Sequence, residues 1–472
     1  MPVSSSRSLA VLLAAPALAA AALPLAAPAR AASPWHRLSA GYVNTSYGPS
    51  VVRTGSGELL VAWTETVAGA GSTLHTRLVS ARAVPDAQGG TGPTWSDLGA
   101  DPAAFLLAGT PAVAVSGNQD LASTNPRNGV VSLLTAADGR SWALQPGALS
   151  VSQDAAGDSG LSALDDGTGS PVVAFTRSDG AAVTLHHGYD GALPTAVPDT
   201  SGPATGTAED AALVRDAAGR VWAGWYDGTS GSGQGVYTQE VLPEVGPLRH
   251  LASSVYQEGG APSSTQPDPR VPLAARVGGG VWTAYAGAGG RTLVLAQVDG
   301  TRQLTLRRSA RVQYAGVSPA PGGRLWVWWV EGGSVWATRT DPGVTRFGAL
   351  VHRAGPDTPT RTAGDGGVGV AYGPLDLVVN AGNAVWSTRL LAGLQVAVRP
   401  VSVPAAGGSV VVSVTDAGTP VAHARVAVGG VHGTTSSAGT VTLRVPRGKA
   451  GRRTVTAQVT GSASGSASLR VR

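Results

Sequence analysis

The chain has 472 residues, 34 Lys+Arg against 29 Asp+Glu, and no Cys. The missing Cys excludes disulfide staples, thiolate zinc sites, iron–sulfur clusters and thiol catalysis, and a chain of this length buries a core without staples. The net charge of +5 is unevenly spread: residues 33–391 hold 23 Arg against 28 Asp+Glu, whereas residues 392–472 hold eight Arg and Lys449 against Asp416 alone, which predicts two domains. Ile is absent and Lys occurs once. That is the usage of a GC-rich genome, so Arg richness by itself is no sign of function.

Residues 1–32 read as a secretory signal peptide. Arg7 supplies the charged start, Leu9–Leu25 the Ala/Leu-rich stretch and Ala27–Ala32 the small-residue cleavage site. Pro16 and Pro24 interrupt the apolar run, and no later segment reaches about 18 continuous apolar residues. A secreted, extracellular chain without a membrane span is expected.

From there a short pattern recurs six times: a Gly, an apolar strand, and an aromatic six residues after the Gly. The copies are Gly57 to Trp63, Gly169 to Phe175, Gly219 to Trp225, Gly279 to Tyr285, Gly323 to Trp329 and Gly366 to Tyr372. Repetition at roughly 45–60 residues means an array of like supersecondary units. A strand precedes each Gly (Ser50-Val-Val-Arg53, Ala211 to Arg215, Leu273 to Arg276), and a Gly-rich hairpin follows the aromatic. The third strand carries a second signature, seen in Leu74 to Arg77, Val236 to Gln239, Val335 to Arg339 and Val385 to Arg389. A seventh, degenerate unit fits the gap at Pro111 to Gly117 and Asn128 to Leu134. Four antiparallel strands repeated radially predict an all-β, seven-bladed β-propeller over residues 33–391, with six blades as the runner-up.

After Leu394 come short strands separated by turns, from Val410–Val414 to Leu469–Val471. They predict a small β-sandwich over residues 392–472. Gly433 to Leu443 resembles the hairpin of bacterial Ig-like and carboxypeptidase-regulatory-like modules of exported proteins.

Thr135-Ala-Ala-Asp-Gly139-Arg-Ser-Trp142 resembles the Asp-box of sialidase-like (BNR) propellers, with Ala137 where that family has Asp and Asp138 one place later. In that family the box stabilises a turn away from the active site. Tyr47 to Arg53, followed by Gly57 to Trp63, is similar to the opening of sialidases. Tyr47 stands in place of the first of three Arg that clamp the sialic acid carboxylate, and Gly48 in place of Ile. The resemblance therefore implies the fold and counts against classical exo-sialidase activity, because planar guanidinium groups are what bind a carboxylate bidentately.

Glu65, Asp227 and Glu331 each lie two residues beyond a repeat aromatic, and Arg177 takes the same place in a fourth copy. Such a ring of charges at one level is a candidate ligand site or a water-facing rim of hairpins; glycoside hydrolysis needs two acids about 5–9.5 Å apart. Trp328 breaks a rule: the other copies have Ala62, Ala174, Gly224, Ala284 and Ala371 there. Trp328 with Trp326, on one face two residues apart, is expected either to offer an aromatic platform for a flat ligand or to fill a wider gap between blades. On the platform reading, Trp328→Ala weakens ligand binding and lowers the melting temperature by only a few degrees. Trp222, Trp282 and Trp326 share one repeat position and are expected in the core.

His186 and His187, adjacent on a strand, point to opposite faces and do not make a metal site; no metal or cofactor is expected. The basic residues Arg444, Arg447, Lys449, Arg452 and Arg453 suit anionic wall polymers by Coulomb attraction. Without interleaved aromatics they do not suit nucleic acid. The expectation is a monomeric propeller that binds a glycan or a cell-envelope polymer. A sialidase-like glycoside hydrolase or lyase with unassigned catalytic residues and a protein-interaction scaffold remain the alternatives.

Overall fold

The computed structural model describes residues 35–43, 48–53, 57–68, 208–227, 234–252, 254–255 and 271–472, together with Ala29–Arg30 and strands between residues 74 and 187. The chain is all-β. Among the described residues the one helical element is a 3-10 turn at Ala288–Gly290, and no helix is long and apolar enough to cross a membrane.

Before residue 391 the described strands make seven antiparallel sheets in chain order. The first spans Ser50–Ala100, the second Ala112–Leu144, the third Ser162–His187 and the fourth Ala208–Ala252. The fifth spans Ser254–Arg307, with its first strand in two pieces along Val281–Gly287, and the sixth spans Gln313–Ala354. The seventh is built from Pro359–Asp365, Leu375–Ala381 and Ala384–Leu390, and His36–Arg37 from the other end of the chain completes it by pairing with Trp386 and Ser387. The first strand of each sheet lies against the first strand of the next, and that of the seventh lies against Ser50–Arg53 of the first. The sheets therefore follow one another in a closed circuit, sealed by the N-terminal segment through Leu38 N–H donating to Val385 O. Ala29–Arg30, inside the segment read as leader, runs parallel to Val351–Ala354.

The core consists of layers between neighbouring sheets. Leu325, Val327 and Trp329 face the fifth sheet's Trp282, Ala284 and Leu295, while Trp326, Trp328 and Val330 face the seventh sheet's Leu375, Leu377 and Val379. Val378 and Val385 meet Val61 and Trp63 of the first sheet. This explains why every residue of Val221–Asp227, Val281–Gly287 and Leu375–Ala381 is buried. A strand covered on both faces reads as a continuous apolar run rather than a clean alternation.

One repeat falls elsewhere than expected. Gly366 to Tyr372 is a turn, and the second strand of the seventh sheet is Leu375–Ala381. Gly367, Gly369 and Gly373 have φ of 66°, 82° and 53°, a left-handed region that Gly enters freely and a strand does not, and Gly367 N–H donates to the Asp365 carboxylate. Counting back from the two-residue hairpins, Val379 stands where the sixth sheet has Trp329. In the degenerate unit, Ala112–Ser116 is a strand as expected, and Thr135 pairs with Ala143. Residues 137–142 of the box, Tyr47 and Arg177 lie outside the described residues.

From Gln395 on, two further sheets enclose one core of Val398, Val412, Val426, Val455 and Leu469 among others. They are attached to the sixth and seventh sheets. Ala392–Gly393 pairs in parallel with Ser462–Ala463. Asp416 pairs with Arg339, whose guanidinium lies 5.6 Å from the Trp326 ring centre, and with Arg324 at 3.6 Å. Arg324 also donates to Thr419 Oγ1 at 2.9 Å. The single acid of residues 392–472 is thus spent on attachment.

Candidate functional site

Asp227 and Glu331 close the second strands of the fourth and sixth sheets, and Glu65 lies inside the second strand of the first, three residues before its end. All three are buried, at 1 %, 6 % and 5 % exposure, so a water-facing rim of charge is not what the sequence produces. Glu331 accepts from Trp329 Nε1 at 3.1 Å, Arg308 Nε at 2.6 Å, Ser309 Oγ at 2.9 Å and Ala310 N at 2.9 Å. Glu65 accepts from Trp63 Nε1 at 3.0 Å and Ala40 N at 3.1 Å. In both, a carboxylate takes the indole N–H of the Trp two residues back, on its own face of the strand, and a backbone N–H of the segment entering its sheet. The pattern Trp-x-Glu is a staple between a strand and the incoming chain. Burial works against the charge of Glu331, yet its donors Trp329, Arg308, Ala310 and Ser309 hold its pKa below the usual carboxylate value. A general acid needs the opposite shift. Burial, and after it the nearby charge of Asp227, pushes the Tyr237 hydroxyl up.

Trp326 and Trp328 are 0 % and 4 % exposed, which corrects the platform reading. Trp326 Nε1 donates to Gly373 O at 2.9 Å, and Trp328 Nε1 to Thr362 Oγ1 of the seventh sheet at 3.1 Å. The Trp328 indole fills space that two glycines leave. A Cβ on its cross-strand partner Gly316 would stand 2.1 Å from the ring, and one on Gly364 of the seventh sheet 3.2 Å. The small residue demanded by close packing sits opposite Trp328 in this unit. Trp222 and Trp282 are buried, as expected.

Sequence reading missed a buried ionic cluster where the seventh sheet meets the first. Arg389 grips Asp376 bidentately at 2.7 and 3.0 Å; Arg53 reaches Asp376 at 3.0 Å, the Asp365 carboxylate, and Gly57 O at 2.9 Å. The side chains of Arg53, Asp376 and Arg389 are 7 %, 2 % and 1 % exposed. Both Arg end recurring strand signatures; Arg389 meets Asp376 directly across its own sheet, whereas the acids of Arg53 lie on another repeat, up to 323 residues away. Asp216 plays a smaller version of this part. Burial opposes its charge, and hydrogen bonds from Arg220 and the backbone N–H of Ala218 bring its pKa below the ordinary value.

The arrangement thus consumes its charges in holding strands together. Glu65, Asp227 and Glu331 each sit in a separate sheet among their own neighbours. Among the described residues no group of three or more His, Asp or Glu is placed to hold a metal ion.

No family model matches the chain, and no curated protein matches it. Solved structures similar to it are β-propeller proteins. Virginiamycin B lyase from Staphylococcus aureus is 9% identical, covering 76% of this chain and 98% of that one at a TM-score of 0.42. Penicillium chrysogenum alpha-L-arabinanase complexed with arabinobiose is 13% identical, covering 78% and 99% at 0.39. An Aleuria aurantia lectin in complex with a fucose disaccharide is 11% identical, covering 87% and 98% at 0.37. These likenesses are too distant to bring a substrate or a residue role to this chain.

Proposed function

We propose that the chain is an exported seven-bladed β-propeller of the sialidase-like (BNR) kind over residues 33–391, carrying an Ig-like β-sandwich over 392–472, and that it binds a glycan or cell-surface partner without sialidase chemistry. The closed circuit of seven sheets supports the blade count. The saturation of Glu331 by four donors carries the functional reading. An acid held ionised and fully hydrogen-bonded inside a sheet junction neither donates a proton to a leaving group nor meets a sugar. With the sheet junctions filled, the ends of the ring are the surface left for recognition.

The test is to incubate the purified chain with sialylated, acidic and neutral polysaccharides, following sugar release and retention on the immobilised glycans in parallel. Retention without release above a boiled control is the expected result. Release of sugar overturns the non-catalytic reading. Failure to retain any glycan overturns the glycan reading and leaves a protein-interaction scaffold.

A further inference from the structure

The C-terminal module has two unlike ends. The strand Gly408–Asp416 runs between them. At one end Asp416 is bound to Arg324 and Arg339 of the ring. The other end lies eight residues back, about 26 Å at ~3.3 Å per residue, and there Gly448 N–H donates to Ala405 O. At this far end Arg447, Lys449, Arg452, Arg470 and Arg472 are all exposed. Arg452 and Arg470 are direct cross-strand partners on the outer face, a like-charge juxtaposition that destabilises a sheet. Arg472 follows two residues on and is held by Ser402 Oγ at 2.7 Å. Arg447 and Lys449 line an open hollow with Ala405 and Ala406.

Genome-wide Arg bias does not produce this. The same chain balances 23 Arg with 28 acids in residues 33–391. In the module the one acid is withdrawn to the opposite end, so its free surface is wholly cationic. We infer that this far corner is a binding site for a linear polyanion of the cell envelope, a chain bearing repeated phosphate or carboxylate groups, with Arg447, Lys449, Arg452 and Arg470 as its main contacts. A polymer of spaced charges neutralises the Arg452–Arg470 repulsion and follows the row onward to Arg472. Residues 392–472 contain no Phe, Trp or Tyr, so there is no platform on which bases would stack. The ion pairs at the ring end hold the module in place, so a polymer bound at the far corner fixes the ring at a set distance. This site stands apart from whatever the ring recognises.

The experiment uses the purified chain with immobilised polyphosphate and polygalacturonate, a neutral dextran surface, anionic phosphatidylglycerol vesicles and a single-stranded DNA oligonucleotide. The comparison is between the fourfold variant Arg447→Gln, Lys449→Gln, Arg452→Gln, Arg470→Gln and a control pair, Arg399→Gln with Arg425→Gln. Both control residues are exposed in the same module; Arg425 pairs with Gln458, six residues along the strand from Arg452. Binding to one or both polymers is expected to fall at least tenfold in the fourfold variant and less than threefold in the control pair. The slope of log affinity against log salt should become shallower by about three. Retention on neutral glycans should stay unchanged, which separates failure of this site from failure of the ring's proposed function. Unchanged polymer binding in the fourfold variant, equal losses in the control pair, or wild-type binding without salt dependence overturns the assignment. Tighter binding to vesicles or to DNA than to either polymer at equal charge overturns the partner class.

Discussion

In the ring, the side chains of Arg53, Arg308 and Arg389 are 7 %, 8 % and 1 % exposed, and each ends on a carboxylate of a neighbouring strand or segment. In the C-terminal module, Arg452 and Arg470 stand side by side at the surface with no acid near them in the sequence of that module. One residue type, drawn from one biased composition, does two jobs. Where a cross-strand acid is available, the planar guanidinium becomes an internal fastener, able to satisfy two or three acceptors at once. Where the acids have been removed, the same group becomes a surface field. Net charge per region, rather than Arg content, separates the two.

If that division is right, substitutions inside the ring damage the fold and those at the module's far end leave it intact. The largest effect belongs to Trp328→Ala. It empties the space that the indole fills beside Gly316 and Gly364, and a large-to-small change of this kind costs about 3–5 kcal/mol. A lower melting temperature with glycan retention unchanged just below it is the expected result. This reverses the sequence expectation for the same variant. A melting temperature within a degree or two of wild type would return Trp328 to the list of ligand contacts.

Asp416→Ala probes the boundary between the regions. It leaves Arg339 and Arg324 without their acid, and hydrogen bonds to charged groups contribute about 1.5–3 kcal/mol. Calorimetry should show the module unfolding in a separate, earlier transition, with faster proteolysis close to residue 392. A single unshifted transition would mean that the parallel pairing of Ala392–Gly393 with Ser462–Ala463 carries the attachment unaided.

Glu331→Gln has an effect that depends on pH. The folded-state pKa of Glu331 lies below the ordinary glutamate value of 4.5. Its contribution is therefore present above the unfolded value and is lost as pH falls through the folded one. At neutral pH the variant should be less stable by about 1–3 kcal/mol, and the gap to wild type should narrow as the buffer is taken below pH 4.5. A constant gap from pH 7 to pH 3 would show that the side chain stabilises by shape rather than charge.

Much of the ring was legible because its signal is local. A Gly turn, an apolar strand and a hairpin recur within each unit, and the strand assignments at Val221–Asp227, Val281–Gly287 and Arg324–Glu331 fall where the repeat puts them. The copy at Gly366 to Tyr372 misled because a Gly-rich apolar run satisfies the same spacing; its true strand, Leu375–Ala381, has lost the aromatic. What could not be read is long-range. The pairing of Arg53 with Asp376, the closing strand His36–Arg37, and the glycines that make room for Trp328 come together only when the circuit of sheets closes. Glu65 and Glu331 accept backbone N–H groups of the segments that enter their sheets, from Ala40 and Ala310. Spacing tells which residues share a level, and it does not tell that the incoming chain covers them.

The smallest expected effect is the one that separates the regions best. Arg470→Thr removes one member of the Arg452–Arg470 pair. In an antiparallel ladder, relief of a directly opposed like-charge pair is worth about 0.2–1 kcal/mol, so this variant should be slightly more stable than wild type at low salt. The gain should shrink as salt rises, because screening already quiets the repulsion at a Debye length of about 3 Å near 1 M. It should vanish too when wild type is saturated with polyphosphate. Stability and polymer binding would then move in opposite directions for one substitution, the signature of a surface kept cationic against its own folding interest. A variant less stable than wild type at every salt concentration would mean that Arg470 is held by the fold, and the far corner would belong with the ring's internal fasteners.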